Sequence, residues 1–195
     1  SSGLTVGQWS HVAVTLDRNG NGVIYIDGGA NVTAAMNPND YSGVDIVYTA
    51  NNLIGNGNGF VNGKISNAAI FDSVLSAANV LAIYNNGTPD DLTSLSPLSW
   101  WKLDDSATFS TNWSIPDAGS ASNTGTSSGM TQGNLIPATV TRGTALYSEY
   151  SFDFDGATDY VNCGNSFSFT DELTVSAWIN VDSWGTYDNF VSQIN

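Results

Sequence analysis

The chain has 195 residues, 41% of them hydrophobic, which supplies a packed core and argues against disorder. Its net charge of −14 sets 18 acidic residues against four fixed cations, Arg18, Lys64, Lys102 and Arg142. Phosphate neutralisation needs clustered Lys and Arg, so nucleic acid is excluded as a partner, as is an anionic membrane surface. No apolar run is long enough to span a bilayer as a helix, so no membrane insertion is expected.

Charged residues are only 11% of the chain, and Asn, Ser, Thr, Gly and Asp carry the polar surface. That make-up points to an extracellular β-protein, and the acidity suits a salty medium that screens repulsion. The single cysteine, Cys163, has no intrachain partner and reads as a small buried residue. The opening SSGLTVGQW has neither Met nor a basic n-region, so no signal peptide is expected in it. Asn31, Asn86 and Asn112 begin Asn-x-Ser/Thr triplets, which chance explains in a chain this rich in those residues.

WSHVAVTL, from Trp9 to Leu16, alternates and is β-branched, so it predicts a strand. DRNGNG then turns the chain, Val23 to Ile26 returns it, and Asp27-Gly28 turns it again. Asn31 to Ala35 continues the hairpin, Asn37 to Gly43 is loop, and Asn52 to Ile54 is a short strand. FVNGKISNAAIF, from Phe60 to Phe71, is a strand pair or one long bent strand. Ser73 to Asn86 is the one helical segment, with Ser76 as N-cap and Gly87 as the stop. A lone short helix is expected to cover a sheet edge.

Pro89 to Asp105, PDDLTSLSPLSWWKLDD, reads as the joint between two units. LSWWKL starts a strand with adjacent tryptophans on opposite faces, and the polar stretch from Asp104 to Gly133 reads as a surface or ligand loop. Tyr150 to Phe154 alternates, placing Asp153 and Asp155 on one face. LTVSAWINV, from Leu173 to Val181, is the strongest strand of the second half.

These segments carry a likeness. WSHVAVTLDRNGNGVIYIDG with LIGNGNGFVNGKISNAAIFDSVLSAANVLAIYNNG resembles the closing half of a laminin G-like, concanavalin A-like lectin/glucanase domain. LSWWKLDD, IPDAGSASNTG, YSFDFDGATDYVNCGN and LTVSAWINV resemble its opening half. The resemblance implies an all-β, antiparallel two-sheet jelly-roll sandwich with one short helix. Residues 1–88 would be the C-terminal half, 89–97 a linker and 98–195 the N-terminal half. The order is inverted relative to the family, and the strands that join the halves are not evident. The chain is then either a circular permutant or a register-shifted unit of a tandem array, and the array is favoured. Missing middle strands make self-closure harder, so exchange of halves between copies of the chain is expected.

His11 is the only histidine and is expected to be structural. Glycosidases on this fold pair carboxylates on a strand face, and only Glu149 and Glu172 are Glu here, outside any acidic strand motif. Asp153 and Asp155 are the nearest approach to such a pair, and no catalytic residue is assigned. The resemblance implies a calcium ion held by Asp117 and Asn123, with Asn67 at the position where many relatives carry an acid; Asp155 with Asp159 is a second candidate. The alternative is that both are polar turns closed by Asx hydrogen bonds. A sugar site needs an aromatic platform beside amides or carboxylates, which points to Trp113, Trp184, Tyr187 and Tyr41. The resemblance implies a non-catalytic surface-structural or self-assembling module, built from laminin G-like repeats, of an extracellular, cell-surface or virion-surface protein, whose partner is another copy. The alternative is a carbohydrate-binding, lectin-like adhesion module with glycan as partner.

Overall fold

A computed structural model describes residues 4–35, 51–56, 59–137, 149–164, 167, 169, 171–185 and 190–194. The first half supplies β1 (Trp9–Asp17), β2 (Asn21–Ile26), β3 (Gly29–Ala35), β4 (Asn51–Ile54), β5 (Asn62–Phe71) and α1 (Ala77–Tyr84). The second supplies β6 (Ser99–Trp101), β7 (Thr108–Phe109), β8 (Trp113–Ile115), β9 (Gly125–Ser128), β10 (Leu135–Pro137), β11 (Tyr150–Asp155), β12 (Tyr160–Asn162), β13 (Glu172–Ser183) and β14 (Val191–Ile194).

Two antiparallel sheets form a sandwich. The first runs β10-β11-β5-β13-β1-β2-β3, with β6 also paired to β5; the second runs β14-β4-β12-β9-β8-β7. Strand alternation decides the layers. Val12 of β1, Ile65 of β5 and Ala177, Ile179 and Val181 of β13 face the second sheet, where Ile54, Trp113, Ile115 and Val161 meet them in the main core. The opposite face of the first sheet holds a second core, in which Ala13, Tyr25, Ala69, Phe71 and Trp100 lie under Val80, Ile83 and Leu92. Trp101 faces the main core and Trp100 the helix side, so the adjacent tryptophans do point opposite ways, and both are buried.

The halves close on each other within one chain. β1 pairs residue for residue with β13, from Trp9↔Asn180 to Asp17↔Glu172. β5 pairs with β13 and with β11, while β4 pairs with β12 and β14. The expected exchange of halves between chains is therefore corrected. The first half leaves a gap one strand wide between β1 and β5, and the 12-residue β13 fills it. The 89–97 segment is not a free linker either. Pro89, Leu92 and Pro97 are buried as the chain crosses the outer face beside α1.

Of the two readings of 60–71, the long bent strand is the one found: β5 bends at Asn67, where its pairing steps from Ala69↔Ser176 to Ser66↔Trp178, leaving Asn67 as the extra residue of a bulge at φ 50°. Two other local expectations change. Residues 104–133, read as a loop, contain β7, β8 and β9 of the second sheet; their short polar strands lack the apolar alternation that announces a strand. The helix is capped by Ser76, whose side chain accepts from the Asn79 amide, but Asn85 rather than Gly87 takes the left-handed position that ends it. It covers a sheet face, not an edge.

Candidate functional site

α1 covers only part of the first sheet's outer face. Beyond it lies a polar shelf. Cross-strand register places Trp9 (β1), Asn180 (β13), Lys64 (β5) and Asp153 (β11) in one row across four neighbouring strands. The next row holds Ser183, Asn62 and Asp155. All seven face away from the main core, because the residues between them, Ile65, Phe152, Phe154, Ile179 and Val181, face into it. Gly63 allows the strands to approach here: at φ 147° any Cβ would collide with the Asn180 carbonyl.

The shelf is wired by charge and hydrogen bonds. Lys64 Nζ donates to both oxygens of Asp182, at 3.0 and 2.8 Å, and lies 3.7 Å from Asp153. Asp182 reaches it because it is the extra residue of a second register shift, between Val181 and Ser183. Asn62 Nδ2 donates to Ser183 Oγ at 2.8 Å. Burial raises the Asp153 carboxyl; the nearby Lys64 pulls it down and Asp182 pushes it up, and the net shift is upward. Asn180 Oδ1 is buried and has no hydrogen-bond partner. Trp178, Trp9 and Tyr84 cluster on one side of the row, with Trp178 and Tyr84 stacked at 6.0 Å. Trp184, 48% exposed, follows Ser183 at the strand end.

Of the sugar candidates, Trp184 is exposed at the strand end. Trp113 is not. It is 5% exposed, stacks edge-on against Phe152 at 5.1 Å, and donates Nε1 to the Thr131 carbonyl, so its place in the sugar set is corrected to the core. Tyr41 and Tyr187 lie outside the described residues.

The three calcium candidates do gather around the joint, at Trp100. However, the Asp117 carboxylate already accepts four donors: the Trp100 and Gly119 amides at 2.7 Å on Oδ1, and the Ser99 hydroxyl at 2.7 Å and Asn123 amide at 2.8 Å on Oδ2. Asn67 Oδ1 accepts from Trp100 Nε1 at 3.1 Å, and the Asn123 carbonyl accepts from Trp101 Nε1 at 2.8 Å. A calcium ion needs six to eight free oxygens, so this donor set does not fit one. Nor do Asp155 and Asp159. Asp155 closes an Asx turn: burial works against its charge, yet the amides of Thr158, Ala157 and Asp159 and the Thr158 hydroxyl outweigh it and hold the carboxyl at about 2. Asp159 accepts from Asn134 Nδ2 at 2.7 Å and from the Asp155 amide at 3.2 Å. No group of three metal-type side chains occurs among the described residues.

His11 is fully buried between sheet and helix, with Nε2 2.8 Å from Ser176 Oγ and its ring 5.4 Å from that of Trp178. Burial lowers its pKa to about 3, so it stays neutral. Cys163 is buried in the main core. A cleft of about 60 Å³ between α1 and the connection, lined by Ala82, Asp91 and Leu95 among others, is far below the roughly 300 Å³ at which small-molecule pockets begin. Asp153 and Asp155 share a face as expected, but Asp155 is committed to its turn. Asn62, Lys64, Asn180 and Asp182 escaped the sequence reading. Their alternation on β5 and β13 was legible, whereas the order of strands that lines them up was not.

Residues 1–81 match the family model of the Concanavalin A-like lectin/glucanases superfamily. The match spans 81 of the 195 residues, and the two antiparallel sheets with one short helix agree with a concanavalin A-like sandwich. No curated protein and no solved structure gives a significant match to the chain. Residues 1–81 are thus similar to a superfamily whose name covers both lectins and glucanases. No helix among the described residues is long and apolar enough to cross a membrane.

Proposed function

We propose that the protein is a non-catalytic carbohydrate-recognition module that works outside the cell or on a virion surface. One observation carries this reading: Trp184 stands exposed at the end of a strand that precedes it with polar residues, Asn180 opposite Lys64, Asp182 bonded to Lys64, and Ser183 bonded to Asn62. An indole offers a flat apolar face to a sugar ring, and the amides and carboxylates beside it bond hydroxyls. A hydrolase needs a second carboxyl free to act with Asp153, and Asp155 is closed in its turn. Glycan binding by the whole chain, measured calorimetrically for the wild type and for Trp184→Ala, tests the reading. Loss of binding with an unchanged melting temperature is expected; silence of the wild type towards every sugar class would overturn it.

A second reading, a structural module that associates with its own copies, is favoured by β3. This edge strand carries no charged residue, and its Val32 sits opposite Ile24, both exposed. Val32→Lys would reduce a concentration-dependent mass in sedimentation if that edge pairs between copies.

A further inference from the structure

We propose that Asn112 is an acceptor for an N-linked glycan, a sugar that the chain carries and does not bind. The proposal goes beyond the reading above and shares with it only the setting outside the cell.

Asn-x-Ser/Thr triplets begin at Asn31, Asn86 and Asn112. Composition makes such triplets common, and the fold tells these three apart. An N-glycan is bulky and hydrated, so its asparagine must stand clear of the folded surface, and the hydroxyl two residues on must be open with it. Asn31 is half-buried and is the extra residue of a bulge in β3, between the pairs Ile24↔Val32 and Tyr25↔Ala30. Asn86 is exposed, but its partner Thr88 is only 9% exposed, and the Thr88 amide donates to the Asn85 carbonyl at 3.3 Å. That triplet is also folded into a kink, with Asn86 at φ 55° and ψ 31°. Only in the third triplet are both residues, Asn112 and Ser114, exposed.

Local structure explains why. Phe109 pairs with Trp113, so residues 110–112 form the turn between β7 and β8, and the Ser110 amide donates to the Asn112 carbonyl at 3.2 Å. Trp113 and Ile115 face the main core. Asn112 and Ser114 alternate with them and therefore face away from it. Ser114 holds its place through its strand neighbours Thr108 and Thr126, and neither its hydroxyl nor the Asn112 carboxamide hydrogen-bonds to a described residue. A glycan at Asn112 thus displaces no contact of the fold. It would stand at the end of β7, the outermost strand of the second sheet among the described residues, and shield that edge.

The donor is a polyisoprenyl-pyrophosphate oligosaccharide, which a glycosylating secretory pathway supplies. Asn112 Nδ2 bonds to the anomeric carbon, the bond from that carbon to the pyrophosphate oxygen breaks, the pyrophosphate leaves with the electron pair, and Nδ2 gives up one proton.

The test expresses the whole chain behind a secretion leader in a glycosylating eukaryotic cell line. Secreted and cell-retained protein are both mapped by mass spectrometry, before and after peptide-N-glycosidase treatment in heavy-oxygen water, which converts each glycosylated Asn to a labelled Asp. A glycan on Asn112 in most chains is expected, with Asn31 and Asn86 largely bare. Asn112→Gln and Ser114→Ala should each remove it, Ser114→Thr should keep it, and all three should leave the urea midpoint unchanged. A bare Asn112 in the wild type would overturn the proposal, as would a glycan that persists in Ser114→Ala. Equal occupancy at Asn31 or Asn86 would overturn the selection by the fold. Sugar binding through Trp184 is read by calorimetry and not by this mapping, so either idea fails without the other.

Discussion

Trp100 Nε1 donates to Asn67 Oδ1 at 3.1 Å, joining the bulge of β5 to the strand that opens the second half of the chain. Both residues are buried, and Asn67 holds a left-handed φ of 50°. Asn tolerates that conformation because its short amide bonds locally, here also to Ser66 Oγ at 3.1 Å. Asn67→Ala should therefore lose twice. It leaves a buried indole N–H unpaired, at about 1–3 kcal/mol, and it strains the backbone. Asn67→Gly should recover only the backbone part. Urea midpoints ordered wild type, then Gly, then Ala are expected; equal midpoints would show the bulge to be indifferent to its residue.

This residue also shows what the sequence could disclose. NGKISNAAIF reads as a strand by its β-branched and apolar content, and its length suggested a bend. What it could not disclose was that the bend sits at Asn67, because a bulge is defined by the partner strand, and β13 lies more than a hundred positions away. The same limit hid the shelf. Asn62 and Lys64 alternate legibly with Gly63 and Ile65, but only the order β1-β13-β5-β11 sets Trp9, Asn180, Lys64 and Asp153 side by side. Trp113 failed for another reason. Its flanks are Ser, Thr and Asn, the composition of a loop, and its burial comes from Phe109 and Phe152 packed around it. Trp184, in similarly polar surroundings, has no such neighbours among the described ring contacts and stays exposed.

Asp117 should behave as a structural hub. Its four donors come from Ser99, Trp100, Gly119 and Asn123, so one carboxylate ties the 117–123 loop to β6. Gly119 belongs to the same close approach, since a Cβ there would strike the backbone of Leu98 and Ser99. Asp117→Ala should lower stability by roughly 3 kcal/mol, as expected when several partly buried donors to a charged group are orphaned. Millimolar calcium against chelator should leave the melting temperature unchanged. Binding at a hundredfold excess over Kd would raise stability by about 2.7 kcal/mol, so a rise of several degrees would restore calcium to this loop.

His11 predicts an acid limb. Its folded pKa is about 3, held down by burial, against an ordinary value of 6.5. The neutral ring is the folded form, so its contribution is complete above pH 6.5. As pH falls from 6.5 towards 3, the unfolded chain takes up a proton that the folded chain refuses. Stability then declines by up to about 1.4 kcal/mol per pH unit on this account. Below about 3 both states are protonated and the slope vanishes. Carboxylates titrate in part of the same window, so the measurement is a difference. The unfolding free energy of wild type minus His11→Gln, followed from pH 7 to pH 4, should decrease steadily. A flat difference would mean that the ring is solvated or protonated in the folded protein.

The strongest consequence of the topology concerns the two halves. Residues 1–88 contain β1, β2, β3, β4 and β5, yet β1 and β5 are not neighbours: β13 lies between them and pairs with both. Alone, this half has a split first sheet and only β4 of the second sheet. Residues 98–195 have the reverse defect, with a central strand lacking both partners. Each fragment would expose unpaired edges and the apolar residues Ile65, Ile179 and Val181, which normally share one core. Neither should fold cooperatively by itself. Mixed in equal amounts, the fragments should regain a single urea transition, because the connection at 89–97 sets proximity and Leu92 packing without supplying a strand. The mixture should be less stable than the intact chain, and its transition should move to higher urea as concentration rises, since association replaces an intramolecular step. Circular dichroism across a dilution series checks this. A cooperative transition from either fragment alone, independent of concentration, would show two separable domains in place of one sandwich.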